Sequence, residues 1–175
     1  MKLIILGAGG YGKVIHDLAL RSNRYSEIYY LDDNCTDERV IGKCADFEKY
    51  IADDTDFYPA FGDNEYRLAW LDRFDSANAK VLTLIDETAY VAPSAMIEKN
   101  TIVLPKAIVN SDSTVKRGCI INCGSIVDHD CIIEEGVHIS IGAIIKSENR
   151  VPRLMKVEEG TVINNRFYSL EEDKK

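Results

Sequence analysis

The sequence predicts two folds in succession, an α/β domain built on a parallel sheet and then a short parallel β-helix of hexapeptide repeats. Three observations carry that prediction. From Thr88 to Asn165 the chain falls into thirteen six-residue units without an insertion. The fourth place of every unit is Val or Ile, from Val91 and Ile97 through to Val157 and Ile163. Near the amino terminus, an apolar run passes directly into the glycine-rich segment Gly7-Ala8-Gly9-Gly10-Tyr11-Gly12.

The first domain reads element by element over residues 1–81. Residues 2–6, Lys-Leu-Ile-Ile-Leu, have the apolar continuity of a buried strand. The glycines that follow fit the spacing G-x-G-x-x-G. They permit a tight turn and close approach of backbone to a phosphate, and the next helix would offer its free N–H groups to that anion. Lys13 to Ser22 supplies the helix through Val14, Ile15, Leu18 and Leu20. A second strand, Glu27 to Leu31, ends in Asp32-Asp33, twenty residues after Gly12, where a ribose-binding carboxylate would sit. A later strand, Phe57 to Phe61, runs into Gly62-Asp63-Asn64 and a helix through Leu68, Leu71 and Phe74. Asp63-Asn64 either caps that helix or faces a ligand at the carboxyl edge of the sheet. A dinucleotide site normally uses two βαβαβ halves. The eighty or so residues before the repeats hold one. A mononucleotide such as the UDP of a nucleotide sugar therefore fits better than a nicotinamide cofactor. The alternative is a glycine turn that packs helix on sheet and holds no ligand.

The second domain covers residues 82–175 and ends in a short tail. The second place of each unit is usually small, as in Ala89, Ala95, Thr101, Ala107, Ser113, Cys119, Ser125 and Cys131. Small at two and β-branched at four puts both on one strand face, pointing inward. Six residues suit a short strand and a corner, and Gly118, Gly124, Asp130 and Gly136 supply turn chemistry at the junctions. Such repeats belong to solenoids in which each coil hydrogen-bonds to the next. Asn149 and Met155 break the small-residue rule at the second place, which predicts distortion from Glu148 to Glu159.

Composition narrows the partners. A net charge of −8 with no basic cluster excludes a nucleic-acid ligand. No window is long and apolar enough to span a membrane, and the amino terminus lacks a signal-peptide cleavage pattern. Of the five cysteines, Cys119 and Cys131 sit at inward places and read as buried thiols; Cys119 and Cys123 lack the partner pair of a metal site, and a reduced, cytoplasmic protein is expected.

The glycine segment continuing into Lys13-Val14, then Leu31-Asp32-Asp33, then Gly62-Asp63-Asn64, then Asn122-Cys123-Gly124-Ser125-Ile126-Val127-Asp128-His129-Asp130-Cys131 and His138-Ile139-Ser140, resembles the sugar acetyltransferases of bacterial glycan synthesis. These include UDP-4-amino-sugar N-acetyltransferases and sialic acid O-acetyltransferases. The resemblance implies a half-Rossmann domain that holds the nucleotide sugar, at Gly7, Gly9, Gly10, Tyr11, Gly12, Lys13, Asp32, Asp33, Gly62, Asp63 and Asn64. It implies a left-handed β-helix with three units per coil, a homotrimer, and acetyl-CoA as co-substrate between neighbouring β-helices. His129 matches the catalytic base, Asp130 the carboxylate associated with it and Asn122 a nearby polar position. His138 and Gly142 are assigned to acetyl-CoA. No metal is implied. The chain departs from the family at Tyr11 and Asp86, where His is common, and in its few coils after His138.

His129 ends its hexad at a corner, flanked by Asp128 and Asp130. One of the two carboxylates would hold Nδ1–H and fix the tautomer, leaving the other nitrogen to take a proton from an attacking amine or hydroxyl. A corner histidine between two turn-favouring aspartates is the plain structural alternative. His16 reads as an ordinary helix residue. His129 and His138 are nine residues apart, half of an eighteen-residue coil, so within one subunit they fall on opposite sides of the prism. A shared cleft needs His129 of one subunit to face the neighbour's His138. The expected activity is acetyl transfer to a nucleotide-linked amino sugar. The alternatives are sialic-acid-type O-acetylation and a non-catalytic nucleotide-sugar-binding trimer with a degenerate CoA site. A nicotinamide oxidoreductase rests on the glycine motif alone.

Overall fold

The computed structural model describes residues 1–170, in two compact units that divide after Leu82. The first unit runs β1 (Lys2–Leu6), α1 (Gly10–Arg21), β2 (Glu27–Leu31), β3 (Val40–Gly42), a 3-10 helix (Cys44–Tyr50), β4 (Thr55–Pro59), α2 (Asn64–Ser76) and β5 (Lys80–Val81). The sheet order is β3-β2-β1-β4-β5 and every pairing is parallel. β1 lies at the centre with Leu3, Ile4, Ile5 and Leu6 all buried, which explains why its sequence is continuously apolar instead of alternating. On one face, Phe47, Phe57, Trp70 and Phe74 pack edge-on or tilted at 5.1–6.1 Å between centroids. The β4 strand starts and stops earlier than the sequence suggested. Pro59 lacks the N–H that would continue the ladder, and Phe61 N–H turns back onto the Pro59 carbonyl. β3 and the 3-10 helix carried no sequence signal strong enough to be read.

From Thr83 the chain is a parallel β-helix. Its two-residue strands form three sheets of five, five and four strands. Face one stacks Leu84–Ile85, Ile102–Val103, Ile120–Ile121, His138–Ile139 and Lys156–Val157. Face two stacks Tyr90–Val91, Ile108–Val109, Ile126–Val127, Ile144–Ile145 and Val162–Ile163. Face three stacks Met96–Ile97, Thr114–Val115, Ile132–Ile133 and Arg150–Val151. Each residue pairs with the one eighteen positions on, as in Ile108 with Ile126. Leu84–Ile85 adds one strand ahead of the first hexad identified from sequence.

The hexad rule has a direct physical basis. Fourth-place residues from Val103 to Val157, with the small second-place residues between them, form one buried column. From Asn100 to Arg166 the residue that opens each hexad, and Arg166 just after the last one, has a positive φ between 54° and 72°. Each corner therefore needs a left-handed residue, which Gly accepts freely and Asn or Asp more readily than most.

The expected distortion from Glu148 to Glu159 does not occur. Arg150–Val151 and Lys156–Val157 stay in register with the coil below. Asn149 is fully buried, and its amide donates to the carbonyls of Lys146 (2.7 Å) and Asn164 (2.9 Å) while accepting from the Tyr168 N–H (2.9 Å). A polar inward residue is tolerated because every polar atom it brings is paired. Tyr168 itself packs against the end of the aliphatic column and caps it.

Candidate active site

The strand order of the first unit reverses between β1 and β4, and open α/β sheets bind ligands outside the strand carboxyl ends at such a point. The two glycine segments meet there, with the Phe61 ring lying 3.2 Å from where a Gly7 side chain would begin. Gly7 has φ 98°. A Cβ on Gly12 would stand 2.0 Å from the Gly7 carbonyl oxygen, so that glycine is required for helix to approach strand. Gly9, Gly10 and Gly62 have no atom within 4 Å of a would-be Cβ, leaving their surroundings open. Gly9 caps α1 without a side-chain bond, and the first turn holds no acid. The helix amides are thus disposed toward an anion.

The two acids predicted to read a ribose are held by main chain. Asp32 accepts from Ala8 N–H (2.8 Å) on one oxygen, and from Asn34 and Cys35 N–H (2.8 Å each) on the other. Partial burial works against its charge, but these bonds and the Lys43 ammonium outweigh it and hold the carboxyl below its ordinary range. Asp33 accepts from Cys44 N–H at 3.1 Å. Asp63 caps α2 through Tyr66 N–H at 2.7 Å. Asn64 is buried and accepts from Arg67 at 2.9 Å, while Arg67, fully buried, also donates to the Phe61 carbonyl at 3.1 Å. Lys13 is exposed on α1. Tyr11 and Tyr58 join hydroxyls at 2.9 Å. Burial first, then the Tyr58 hydroxyl, pushes the Tyr11 phenol well up, so it stays protonated near neutrality. Sequence reasoning missed Tyr58 and Arg67. Arg67 was findable, three residues after Asn64 on the same helix face. His16 packs buried against Tyr30, with ring centroids 5.6 Å apart.

In the β-helix, His129 occupies the corner between faces two and three, within the turn that joins Ile126–Val127 to Ile132–Ile133. Its Nδ1 lies 2.7 Å from Asp130 Oδ2, with the two side chains 51% and 54% exposed. Asp128 points elsewhere and accepts from Asn110 Nδ2 at 3.1 Å. Of the two flanking aspartates, Asp130 is the one in contact with the ring. Adjacent residues can make this contact because Asp130 is left-handed, φ 56°. The Asp130 bond, followed by the charges of Asp128 and of Glu148 in the next coil, outweighs slight desolvation and raises the His129 pKa. The ring's Nε2 is left as its second nitrogen, suited to accept a proton.

The structure brings Asn122 to His138 and not to His129. Asn122 begins the corner between faces one and two, and its Nδ2 lies 3.0 Å from His138 Nε2 on face one. Gly142 follows in the next corner of that column, with φ 65° and open space around it. The His129 corner is the one that face one does not share, so the two histidine groups of a single chain lie apart, as their spacing predicted. Among the described residues no cluster of His, Cys, Asp or Glu has the makings of a metal site, and no helix is long and apolar enough to cross a membrane.

Residues 2–74 match the family model of the PglD N-terminal domain. The acetyltransferase domain of PglB from Neisseria gonorrhoeae FA1090 is 34% identical and superposes with a TM-score of 0.90 over 94% of this chain and 83% of its own. The same domain solved in complex with acetyl coenzyme A gives 33%, 0.89, 94% and 82%. PerB from Caulobacter crescentus, solved with CoA and GDP-perosamine, is 20% identical with a TM-score of 0.81 over 97% of this chain and 91% of its own, a likeness of fold. The chain belongs to the bacterial sugar acetyltransferases that join a half-Rossmann domain to a left-handed β-helix of hexapeptide repeats.

Proposed function

We propose that this chain transfers the acetyl group of acetyl-CoA to the amino group of a nucleotide-linked sugar, with His129 as general base. The observation that carries the proposal is the 2.7 Å contact of His129 Nδ1 with Asp130, on a corner where Nε2 is left for chemistry. The sugar nitrogen attacks the thioester carbonyl, Nε2 takes the proton that the nitrogen sheds, the C–S bond breaks, and CoA leaves as its thiolate. Asp130 fixes the tautomer and stabilises the imidazolium. The open glycine segments Gly7–Gly12 and Gly62–Asn64, with Tyr11, Lys13, Asp32 and Asp33 beside them, support binding of the nucleotide sugar, UDP-linked in the preferred reading. His138, Asn122 and Gly142 would contact the acetyl donor. The Neisseria domain, one-third identical over most of both chains, was solved with acetyl coenzyme A.

Because His129 and His138 belong to different sides of the solenoid, the reading requires a homotrimer in which His129 of one copy meets His138 of the next. Mixed oligomers of H129A and H138A subunits should recover activity at the interfaces that retain both histidines, and no recovery would refute shared sites.

The direct test is release of free CoA thiol when the protein is mixed with acetyl-CoA and UDP- or GDP-linked amino sugars, with the product weighed for a gain of one acetyl group. Thermal stabilisation by the nucleotide sugar with no thiol release from any such acceptor would replace the enzyme with a binding protein.

A further inference from the structure

We infer that Ser113, buried one coil below the His129 turn, is a positioning residue that sets the main-chain geometry of the His129–Asp130 pair. The inference rests on the reading of His129 as base.

Ser113 stands at the inward second place of its hexad and is fully buried. Its hydroxyl donates to the Asp128 carbonyl at 2.6 Å and accepts from the Cys131 N–H at 2.9 Å. Those are the first and fourth residues of the turn that displays His129. The corners that join faces one and two close directly, first carbonyl to fourth N–H, as Asn122 to Ser125 and Ser140 to Ala143 do at 3.1 Å. In the 128–131 turn the serine oxygen is inserted between the two groups. An inserted oxygen spaces the ends of the turn wider than a direct bond would, and it ties both ends to the coil below, which fixes the dihedrals of the two residues in between. Those two residues are His129 and Asp130, neighbours in sequence whose side chains touch only through those dihedrals. The rest of the turn is held from both sides: Asp130 N–H donates to the Ser111 carbonyl (3.0 Å), and Glu148 N–H donates to the His129 carbonyl (3.2 Å).

The fold supplies its own control. Thr101, also inward and fully buried, makes the same insertion one corner away from the site, donating to the Lys116 carbonyl at 3.0 Å and accepting from Cys119 N–H at 3.3 Å. That turn carries no histidine. A threonine therefore fits this kind of place, and the insertion can be removed where it has no catalytic neighbour.

The experiment compares S113A, S113T, T101V and H129A as full-length proteins, measuring kcat, both KM values, the pH profile and thermal unfolding. The charged groups around His129 are Asp130, which contacts the ring, Asp128, which acts on it only through its charge, and Glu148 from the next coil, paired with Arg166. S113A should lose about 10–100-fold in kcat, the scale of an ångström-level misplacement, with KM values unchanged and the acid limb of its profile moved to lower pH as the Asp130 contact loosens. S113T should restore both. T101V should unfold more easily yet keep the wild-type kcat and acid limb. Wild-type kcat and profile in S113A, or an equal shift in T101V, would overturn the inference. If S113A does not fold, S113C takes its place, since Cys119 and Cys131 show that a thiol fits an inward second place and a thiol is the weaker donor and acceptor: a lowered kcat with the acid limb moved to lower pH supports the inference, and wild-type values overturn it. Full activity in H129A would instead overturn the base assignment, a separate result from the same assay.

Discussion

Asn149→Ala should destabilise the β-helix by about 3 kcal/mol, because three hydrogen bonds at roughly 1 kcal/mol each disappear. The bonds are those to the Lys146 carbonyl, the Asn164 carbonyl and the Tyr168 N–H, at 2.7, 2.9 and 2.9 Å. Alanine adds no steric complication, since Ala107 and Ala143 fill equivalent inward places. The cost is not larger because the Lys146 carbonyl keeps a second donor, Cys131 Sγ at 3.3 Å. Urea unfolding followed by circular dichroism gives the midpoint, and hydrogen exchange reports the Tyr168 amide. A local loss should appear as faster exchange at Tyr168 together with the lower midpoint. The coil above the His129 turn should also loosen, because Ile132 N–H donates to the Asn149 carbonyl at 2.8 Å. A midpoint change worth less than about 0.5 kcal/mol, with Tyr168 still protected, would refute the view that pairing of this amide keeps the coil regular.

Other outcomes follow from the same geometry. Asp130→Asn removes the largest influence raising the His129 pKa, so the acid limb of kcat should move to lower pH while the plateau falls; an unmoved limb would show that Asp130 does not hold the ring. Gly12→Ala places a Cβ 2.0 Å from the Gly7 carbonyl and should unfold the first unit or abolish nucleotide-sugar binding; a variant with wild-type stability would contradict that close approach. Gly160→Ala meets no atom within 4 Å but must sit at φ 67°, so it should cost about 1 kcal/mol by backbone alone; a neutral result would mean the corner relaxes.

What could be read from the sequence depended on how far apart the cooperating residues lie. Val or Ile at each fourth place announces the solenoid because one residue type recurs at a fixed interval and faces one axis. Asp130 as a partner for His129 is adjacent in sequence, so it was visible, but the choice between Asp130 and Asp128 was not. That choice depends on Asn110, one coil away, which occupies Asp128. Asn149 violated the small-residue pattern, and distortion was the natural expectation. The sequence contained no sign that Tyr168 and Asn164 would arrive to pair it. Asp32 matched the ribose-binding position by count, yet its oxygens close the loops at Ala8 and at Asn34-Cys35. Counting locates a residue along the chain but does not show which main-chain donors will use its oxygens.

The position of the candidate base follows from how hydrogen bonds are committed in a solenoid. Along the strands, N–H and C=O groups are committed to the coils above and below, and the inward side chains fill the axis. Corners are where the chain changes direction, where left-handed residues are needed, and where side chains reach solvent. A corner is thus the place in this fold where two adjacent side chains, such as His129 and Asp130, can turn toward each other while remaining accessible. Accessibility carries a cost, since an exposed pair is held only by its local backbone. Ser113 answers that need from inside, with one hydroxyl bonded to both ends of the turn. The buried column and the candidate base therefore form one mechanical unit. A change at an inward second place should reach the chemistry when it lies one coil below residues 128–131, and should affect stability alone elsewhere.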